Sequence, residues 1–459
     1  MRSVVCWVYS EFMILDTFDI ADVTAALKER SISARELVDL QISQIKLREK
    51  ELNCYVTLAT QQAQIAAVLS DQRRTDNKTL SAIDGIPIAL KDNLNISGLP
   101  TLNGSKFAHP ASGDADVIKA LRNSGAIIMG KFNMDECAIG GTTNNPHYGP
   151  TINPWKPGFV PGGSSGGGSS AVASGLAWAA IGTDTLGSVR LPAAYCGVVG
   201  LKATHGLISM NGVVPLSPSL DHVGPLCRSV RDARTFLDIL AEGKIEAGLD
   251  GKRGPHLSRS TVGVLTSALG SGSDIEVVDA FERAVEDLRH LGANVTKVSL
   301  SDYELNDLRH SAFLLIEAES SNVLSSWVMD NPDAYSESFK SLLEYGRKIS
   351  DNQLLKIKEK ISGARMAIIN LFKDIDFLVT PTAPQTAFSF SDPIPINQAE
   401  ITGLANIGGV PAISLPCGIS ASGLPLSFQL MARPYREHDL LDAAEILEGI
   451  WGRFSPQHS

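Results

Sequence analysis

Three stretches in the first half of the chain contain residues that could perform nucleophilic catalysis. A Ser- and Gly-rich stretch at residues 161–170 contains Ser164, a small-residue turn at residues 182–190 contains Ser188, and Lys91 closes an apolar segment. A serine hydroxyl is a weak nucleophile at its free pKa and needs a base. A buried lysine can act as that base, because burial lowers its pKa. For Lys91 taken alone, however, the simpler interpretation is a side chain that extends from a strand end to water.

The Ser- and Gly-rich stretch has the sequence PGGSSGGGSS and allows three interpretations. A flexible linker is disfavoured, because linkers do not usually run straight into an apolar helix, which we predict at residues 171–179. A phosphate-binding loop would need a lysine after the glycines, and in the dinucleotide-binding pattern Ala171 takes the place of the last glycine. The esterase pattern G-x-S-x-G matches at both Ser164 and Ser165, but no convincing acid and histidine follow. The stretch therefore indicates a loop that approaches another group closely.

The elements that would position these residues alternate between strand and helix. Between residues 83 and 208, short apolar runs at residues 86–90 and 126–129 are separated by turns rich in Gly and Pro. A helical pattern at residues 117–124 ends at Gly125, directly before the second run. This alternation is typical of an α/β protein.

Helical periodicity dominates the regions on either side of this alternating segment. Apolar residues recur at helical spacing over residues 19–67, and Ser33 with Glu36 forms a capping box that opens the second helix. After a surface connection at residues 240–260, we interpret the next strand and helix as the start of a cap or insertion. The predicted elements of this later part are a strand at residues 262–265, a helix at 275–291, helices over 305–372 with a break at 331–332, and strands at 377–380 and 412–416.

These patterns divide the chain as follows. We expect residues 1–15 to form an N-terminal tail that is either disordered or, over its first twelve residues, not translated at all. Residues 16–456 are expected to form a single domain. Within that domain we distinguish a helical N-terminal part at 16–75, a core at 80–230, and a cap with a C-terminal part at 240–456.

The charge balance restricts the partners. The chain has 459 residues and a formal net charge of −10, from 50 acidic and 40 basic residues, without a block of like charges. Such a surface repels nucleic acid and anionic membranes. We therefore expect a small-molecule or protein partner, no direct binding of nucleic acid, and no association with a membrane.

The spacing of the cysteines indicates a protein of a reducing compartment. The spacing of the histidines argues against a metal site. No H-E-x-x-H pattern and no histidine pair at ligand spacing occurs, so we expect neither a metal nor a cofactor. Glu11 and Asp16 interrupt the apolar N-terminus, which makes it a poor secretory signal, and we expect a cytoplasmic protein. The six cysteines are scattered without a close pair, at Cys6, Cys54, Cys137, Cys196, Cys227 and Cys417.

Taken together, the lysine at a strand end, the GGSSGG loop and the serine in a G-T-D-T-x-G-S turn resemble the amidase signature family in order and spacing. The resemblance implies an α/β fold class: a single α/β/α domain with a mixed, mostly parallel twisted central sheet covered by helices. Further segments similar to that family are found along most of the chain, at residues 84–87, 133–136, 200–202, 221–225, 380–384 and 409–412.

The resemblance also implies a mechanism. Ser188 would attack the carbonyl of a small-molecule amide, Ser164 would take its proton, and Lys91, neutral at the start, would be the base behind Ser164. We therefore expect a desolvated Lys91. We also expect a cis peptide bond between Gly163 and Ser164.

Stabilisation of the oxyanion is expected from the main chain around the nucleophile. The family implies N–H donors from Thr185, Leu186, Gly187 and Ser188, and a main-chain carbonyl near Ala138 that contacts the scissile amide. Most of the family has glycine where Leu186 stands, so a positive φ at this position would strain the turn. Leu186 would also narrow the pocket.

Three neighbouring side chains are expected to support the site without reacting. Asp184 and Arg190 flank the nucleophile and are expected to hold its turn through hydrogen bonds. His147 lies in an N-P-H-Y-G segment that the family uses structurally, so we assign it a structural role.

The expected activity is hydrolysis of a linear carboxylic amide through a serine acyl-enzyme. One alternative is the glutamine-hydrolysing A component of a tRNA-dependent amidotransferase; we favour a free hydrolase because the region after residue 300 does not closely resemble the glutamine-binding part of that component. Another alternative, a non-catalytic scaffold protein, is disfavoured because Lys91, Ser164 and Ser188 are all present. Similar proteins are often homodimers. The region between residues 300 and 400 contains no pattern that identifies the substrate.

Overall fold

The computed structural model describes five stretches of the chain, residues 18–111, 113–244, 254, 256–270 and 272–456. The tail predicted at residues 1–15 therefore lies outside the described residues, as do Cys6 and part of the connection predicted at 240–260. Within the described stretches, a larger apolar core lies between a sheet and its helices, and a smaller one lies beneath helices of the C-terminal third.

One sheet of eleven strands organises these residues. Its spatial order is β1-β3-β2-β6-β8-β7-β12-β13-β11-β9-β10, and β4 with β5 forms a separate short ladder. The strands are β1 Tyr55–Leu58, β2 Pro87–Lys91, β3 Ile127–Phe132, β4 Asn144–Asn145, β5 Gly149–Pro150, β6 Ala179–Asp184, β7 Val199–Lys202, β8 His222–Cys227, β9 Thr261–Leu265, β10 Asn294–Val298, β11 Phe377–Pro381, β12 Ala412–Ile419 and β13 Pro425–Ala432.

The sheet is mixed, and its parallel neighbours occur in two blocks. β3, β2 and β6 form one parallel block, and β10, β9 and β11 form the other. The strands between the two blocks pair antiparallel, and β1 is antiparallel to β3 at one edge. The predicted α/β class with a mixed central sheet is confirmed.

The described residues form thirteen α-helices; about half of them pack on the sheet, and those between residues 305 and 408 pack mainly on one another. The thirteen helices are α1 Ile20–Lys28, α2 Ala34–Leu52, α3 Thr60–Thr75, α4 Asp116–Asn123, α5 Gly166–Ala173, α6 Arg190–Cys196, α7 Val230–Leu240, α8 Ile275–His290, α9 Leu305–Asp330, α10 Glu337–Arg347, α11 Asp351–Leu371, α12 Gly403–Gly408 and α13 Glu437–Trp451.

The N-terminal helices begin where side chains cap them. The Ser33 hydroxyl accepts from the Glu36 N–H and the Glu36 carboxylate accepts from the Ser33 N–H, which confirms the predicted capping box of α2. The helical spacing noted over residues 19–67 does not correspond to helix throughout, because β1 lies between α2 and α3. Tyr55 is buried against the sheet and its main-chain N–H donates to Glu49, so tertiary pairing outweighs the local helical spacing.

The helix predicted at residues 171–179 is displaced toward the glycines. α5 begins at Gly166 and ends at Ala173, and β6 begins at Ala179. The glycines belong to the helix because it is packed tightly: a Cβ on Gly167 would lie 2.4 Å from the Asn133 carbonyl oxygen. The Ser- and Gly-rich stretch therefore supplies close packing.

The C-terminal half extends the same sheet. The strand predicted at residues 262–265 and the helix predicted at 275–291 are present as β9 and α8, and β9 pairs in parallel with both β10 and β11 at the edge of the main sheet. The predicted break in the long helical region is confirmed, since α9 ends at Asp330 and a single 3-10 turn follows at Pro332–Ala334. α9 and α11 cover the smaller apolar core.

Candidate active site

A cavity of about 460 Å³ lies beside the turn that follows β6. Its wall combines the turn with two regions far away in sequence, so the cavity joins the core and the C-terminal half. Four stretches contribute most of its lining, namely residues 138–142, residues 185–188, residues 394–396, and one face of α9 that presents Arg309, Phe313 and Ile316.

Ser188 stands at this wall between β6 and α6. It is the only partly exposed residue of the otherwise buried turn at residues 184–190. Its main-chain carbonyl accepts from the Ser165 N–H at 3.2 Å, which fixes the turn against the loop before α5. The structure describes no hydrogen bond to the Ser188 hydroxyl. The hydroxyl is therefore free to approach a molecule in the cavity.

Lys91 and Ser164 contact each other in the buried interior. Lys91 ends β2, is fully buried, and its Nζ lies 2.8 Å from the Ser164 Oγ. The peptide bond between Gly163 and Ser164 is cis, as the resemblance implies. The predicted desolvation of Lys91 is confirmed, and the alternative that it extends to water is wrong.

Burial controls the charge of Lys91. Removal from water lowers the pKa of Lys91 to about 7, and the negative charges of Asp135, Asp184 and Asp221 only partly oppose this effect. Without these three carboxylates the pKa would fall further, since burial alone disfavours the ammonium form. The amine can therefore lose its proton near neutral pH.

The three oxygens around Nζ can serve both the ammonium and the neutral amine. A neutral amine has two N–H donors and one lone pair, whereas an ammonium has three donors. Three oxygens face Nζ: the Ser164 Oγ at 2.8 Å, the Thr183 Oγ1 at 2.9 Å, and the Thr183 carbonyl at 3.4 Å. If the two N–H groups donate to Thr183, the lone pair is left to accept the Ser164 proton.

Asp184 and Arg190 hold the turn through a buried ion pair. The Asp184 carboxylate accepts from the N–H groups of Gly187, at 2.7 Å, and Val189, at 3.2 Å. Burial opposes ionisation of this carboxyl, but the guanidinium of Arg190 outweighs burial and holds the pKa of Asp184 below its usual range. The hydrogen bonds expected of these two side chains are present.

The main-chain donors of the turn differ from the expected set. The Gly187 N–H already donates to Asp184, which leaves Thr185, Leu186 and Ser188 with N–H groups that make no described hydrogen bond. The expectation for Gly187 is therefore corrected: its amide holds the turn.

The strain considered at Leu186 does not occur. The positive φ of the turn, +124°, is at Gly187, and Leu186 does not adopt the left-handed region. A Cβ at Gly187 would lie 2.3 Å from the Thr402 Oγ1, whose hydroxyl donates to the Leu186 carbonyl. Leu186 lines the cavity with its side chain.

Ala138 lies on the opposite wall in an unusual conformation. Both Cys137 and Ala138 have positive φ, 51° and 62°, and the Ala138 N–H donates to the Asp135 carbonyl. The Asp135 carboxylate in turn accepts from the N–H groups of Thr142 and Thr143. This folding of residues 135–143 places Ala138 in the cavity lining, which also includes residues 185–188.

Several residues at the site were not singled out from the sequence. Thr183 contacts Lys91, and Asn93 donates to the same Thr183 hydroxyl. Asp221 accepts from the Thr185 hydroxyl at 2.6 Å. Threonine, asparagine and aspartate at such positions have no distinctive pattern, so only their contacts in the folded chain identify them.

His147 lies against an acidic side chain. The His147 ring contacts the Glu136 carboxylate at 2.7 Å, as a structural residue would. Within the described part of the chain, no three His, Cys, Asp or Glu side chains are grouped as a metal site requires. Nor does any described helix have the length and apolar character needed to cross a membrane.

Comparisons with known proteins agree on one family. The sequence profile of the Amidase family matches residues 36–441. The chain is similar to the A component of a Glutamyl-tRNA(Gln) amidotransferase from Lachnospira eligens, with 32% identity over 486 aligned residues that cover 96% of this chain and 100% of the relative.

Two solved structures extend this similarity to the fold. The crystal structure of an amidase has a TM-score of 0.88 and 28% identity, covering 95% of this chain and 100% of that one. A peptide amidase from Stenotrophomonas maltophilia has a TM-score of 0.82 and 26% identity, covering 96% of this chain and 98% of that one. The similarity therefore includes the core and the C-terminal half together.

Proposed function

Because the chain belongs to the amidase family, we propose that Ser188, Ser164 and Lys91 form its catalytic relay. The protein is a hydrolase that cleaves a carboxylic amide. The observation that carries the assignment of residues is the 2.8 Å contact between the buried Lys91 Nζ and the Ser164 Oγ, next to Ser165, whose N–H donates to the main chain of the cavity-lining Ser188.

In the acylation step the Ser188 Oγ forms a bond to the amide carbonyl carbon. Its proton passes to the Ser164 Oγ while the Ser164 proton passes to the neutral Lys91 amine. When the C–N bond breaks, the proton returns along the same path to the leaving nitrogen. Water then attacks the acyl-enzyme with the same relay and releases the carboxylic acid.

In this proposal, the hydrogen bond between the Ser188 and Ser164 hydroxyls forms only when substrate binds. The Ser188 hydroxyl has no described hydrogen bond, although the Ser165 N–H already holds its main chain. Catalytic hydrogen bonds often tighten only in the substrate complex. Rotation of the Ser188 side chain toward Ser164 would complete the relay.

Charge that develops on the carbonyl oxygen would be stabilised by main-chain donors. Thr185, Leu186 and Ser188 supply N–H groups without a described partner, and Asp184 keeps their turn rigid through Gly187. Removal of one such donor in other enzymes costs roughly 100- to 1000-fold in kcat. The carbonyl near Ala138 would contact the scissile amide from the opposite wall.

The test is covalent labelling of the nucleophile. Incubation with a fluorophosphonate or phenylmethylsulfonyl probe should add one probe mass to the wild type and none to Ser188→Ala. Ser165→Ala is the matched control, because Ser165 neighbours the relay but bonds the Thr183 carbonyl and not Lys91. An adduct that persists in Ser188→Ala would contradict the assignment.

A second candidate function is that of the glutamine-hydrolysing A component in a tRNA-dependent amidotransferase. It is favoured by relatives that bear the name of this component, at 32–34% identity over more than nine-tenths of this chain. Ammonia release from glutamine that requires added partner proteins would support it. Turnover of simple amides by the chain alone would support the free hydrolase, which in this proposal is cytoplasmic.

A further inference from the structure

Arg309 places a positive charge in a largely apolar part of the cavity wall. Arg309, Phe313 and Ile316 lie on one face of α9, and all three line the cavity. Among the described lining residues, Arg309 is the only basic one. Its charge therefore distinguishes this wall from the surrounding apolar side chains.

The guanidinium is incompletely paired within the described part of the chain. One Nη donates to the Asn306 amide oxygen at 2.7 Å, but the Nε is buried and has no hydrogen-bond partner. The Arg309 guanidinium carbon lies 5.9 Å from the Phe313 ring centroid, a weak cation–π contact. A buried donor without a partner is costly, so an acceptor supplied from the cavity would stabilise this arrangement.

A protein carboxylate does not take that place. The charge of Arg309 affects the carboxyl group of Glu400. Burial raises the pKa of Glu400, and the nearby positive charge of Arg309 partly offsets this rise. No ion pair joins them in the described residues. Asp135, the other charged lining residue, uses its carboxylate to accept main-chain N–H groups of its own loop.

We infer that Arg309 binds a carboxylate of the substrate, so that the enzyme acts on amides that carry an acidic group. This inference rests on the proposed function, because it concerns the substrate of the same cavity. A guanidinium presents parallel N–H donors that match the two oxygens of a carboxylate. The apolar Leu186 and Phe313 also line the cavity and suit a methylene chain between the amide and the acid.

The inference predicts a preference between matched substrates. Glutaramate and 5-methylhexanamide have the same chain and differ in whether a carboxylate or an isopropyl group ends it. Wild type should favour glutaramate in kcat/KM by about 10- to 100-fold, the range expected for charge-assisted hydrogen bonds. Arg309→Gln should reduce this ratio to near 1, mainly through KM, and Arg309→Lys should retain part of it.

Arg289→Gln is the matched control, because Arg289 pairs with Glu286 on an exposed face of α8 and does not line the cavity. It should keep the wild-type ratio. Equal kcat/KM for the two amides in wild type would overturn the inference. A ratio that survives in Arg309→Gln would overturn it too.

Binding without turnover separates this inference from the proposed function. Calorimetric titration with glutarate should show binding to the Ser188→Ala variant. The double variant Ser188→Ala with Arg309→Gln should bind glutarate at least about 10-fold more weakly. If wild type forms no probe adduct and hydrolyses no amide, the proposed function fails, while Arg309-dependent binding of glutarate would still support the carboxylate site. An equal affinity for glutarate with and without the Arg309→Gln substitution would overturn the carboxylate site itself.

Discussion

At the scale of single residues, the proton on Lys91 decides when the proposed relay can start. Burial lowers the pKa of Lys91 to about 7, and only the neutral amine can take the Ser164 proton. The neutral fraction rises with pH, so kcat/KM should increase about tenfold per pH unit below pH 7 and level off above it. Initial rates over a range of amide concentrations at each pH measure this dependence.

Replacement of Lys91 tests the same base in a second way. Lys91→Arg keeps a cation that does not lose its proton in proteins, so activity should fall by roughly 100- to 10,000-fold and should not recover at high pH. Circular dichroism confirms that the variant is folded. Recovery of activity in Lys91→Arg above pH 8 would rule out Lys91 as the base.

From the sequence, the residues of the proposed relay were easier to identify than most of the contacts that hold them in place. Lys91 and Ser188 stand in patterns whose order is distinctive, and the buried contact of Lys91 with Ser164 agrees with the implied relay. The role of the Gly187 amide could not be predicted, because it depends on where the Asp184 side chain turns in the folded protein. Arg309 has no pattern at all, since a lone arginine on a helix is ordinarily a solvated residue.

At the scale of elements, the glycines of α5 let the helix approach the strand end that leads to Asn133. A Cβ at Gly167 would lie 2.4 Å from the Asn133 carbonyl and 2.7 Å from the Cys54 carbonyl, both of which are main chain and cannot move aside cheaply. Gly167→Ala should therefore destabilise the protein by about 1–3 kcal/mol, as overpacking does. The free energy of unfolding in urea measures the change.

Gly449→Ala provides the matched control for that helix. Gly449 lies inside α13, where an added Cβ would meet nothing within 4 Å. Alanine favours a helix interior over glycine, so Gly449→Ala should stabilise the protein by roughly 0.5–1 kcal/mol. Equal effects of the two substitutions would show that the close approach of α5 is not what requires glycine.

Many helices and strands with local signals were predicted, whereas the pairing of the strands in the sheet was not. The Ser33 cap and the break after α9 are local, and both occur where the sequence indicated. β1 is only four residues long and lies between two helices, so its helical neighbours hid it. β9 and β10 join the main sheet because β9 pairs with β11, which lies far along the chain beyond four helices.

At the scale of the whole molecule, Arg190 fastens the core to the C-terminal half. Besides Asp184, its guanidinium donates to the Thr402 carbonyl, the Asn406 side chain and the Gln429 side chain. All five N–H donors of the guanidinium are used in this way. The nucleophile turn is thus held by residues more than two hundred positions away.

Arg190→Lys should therefore affect both stability and activity. A lysine has three donors and would leave buried acceptors unpaired, which should cost about 1–3 kcal/mol per unsatisfied group, and the loosened turn should lower kcat. Urea unfolding and steady-state kinetics measure the two effects. Arg289→Lys, at an exposed ion pair, should change stability by no more than about 1 kcal/mol.

The continuity of the sheet supports the proposal that the chain folds as a single domain. β7 of the core pairs with β12, and the cavity wall needs both halves. The core alone would lack the partners of Arg190 and an entire wall of the cavity. In this proposal, neither half is a stable unit without the other.

The tight packing of the glycines before and within α5 has a consequence for directed evolution. A Cβ would lie 2.0 Å from the Asp135 carboxylate at Gly163 and 2.3 Å from the Thr143 hydroxyl at Gly166, so saturation mutagenesis there would mostly yield misfolded clones. Ile394 and Ile396 line the same cavity, yet 61% and 80% of their surfaces are exposed. A library aimed at new substrates would be most productive at this rim, where side chains can be exchanged without disturbing the proposed nucleophile, Ser188.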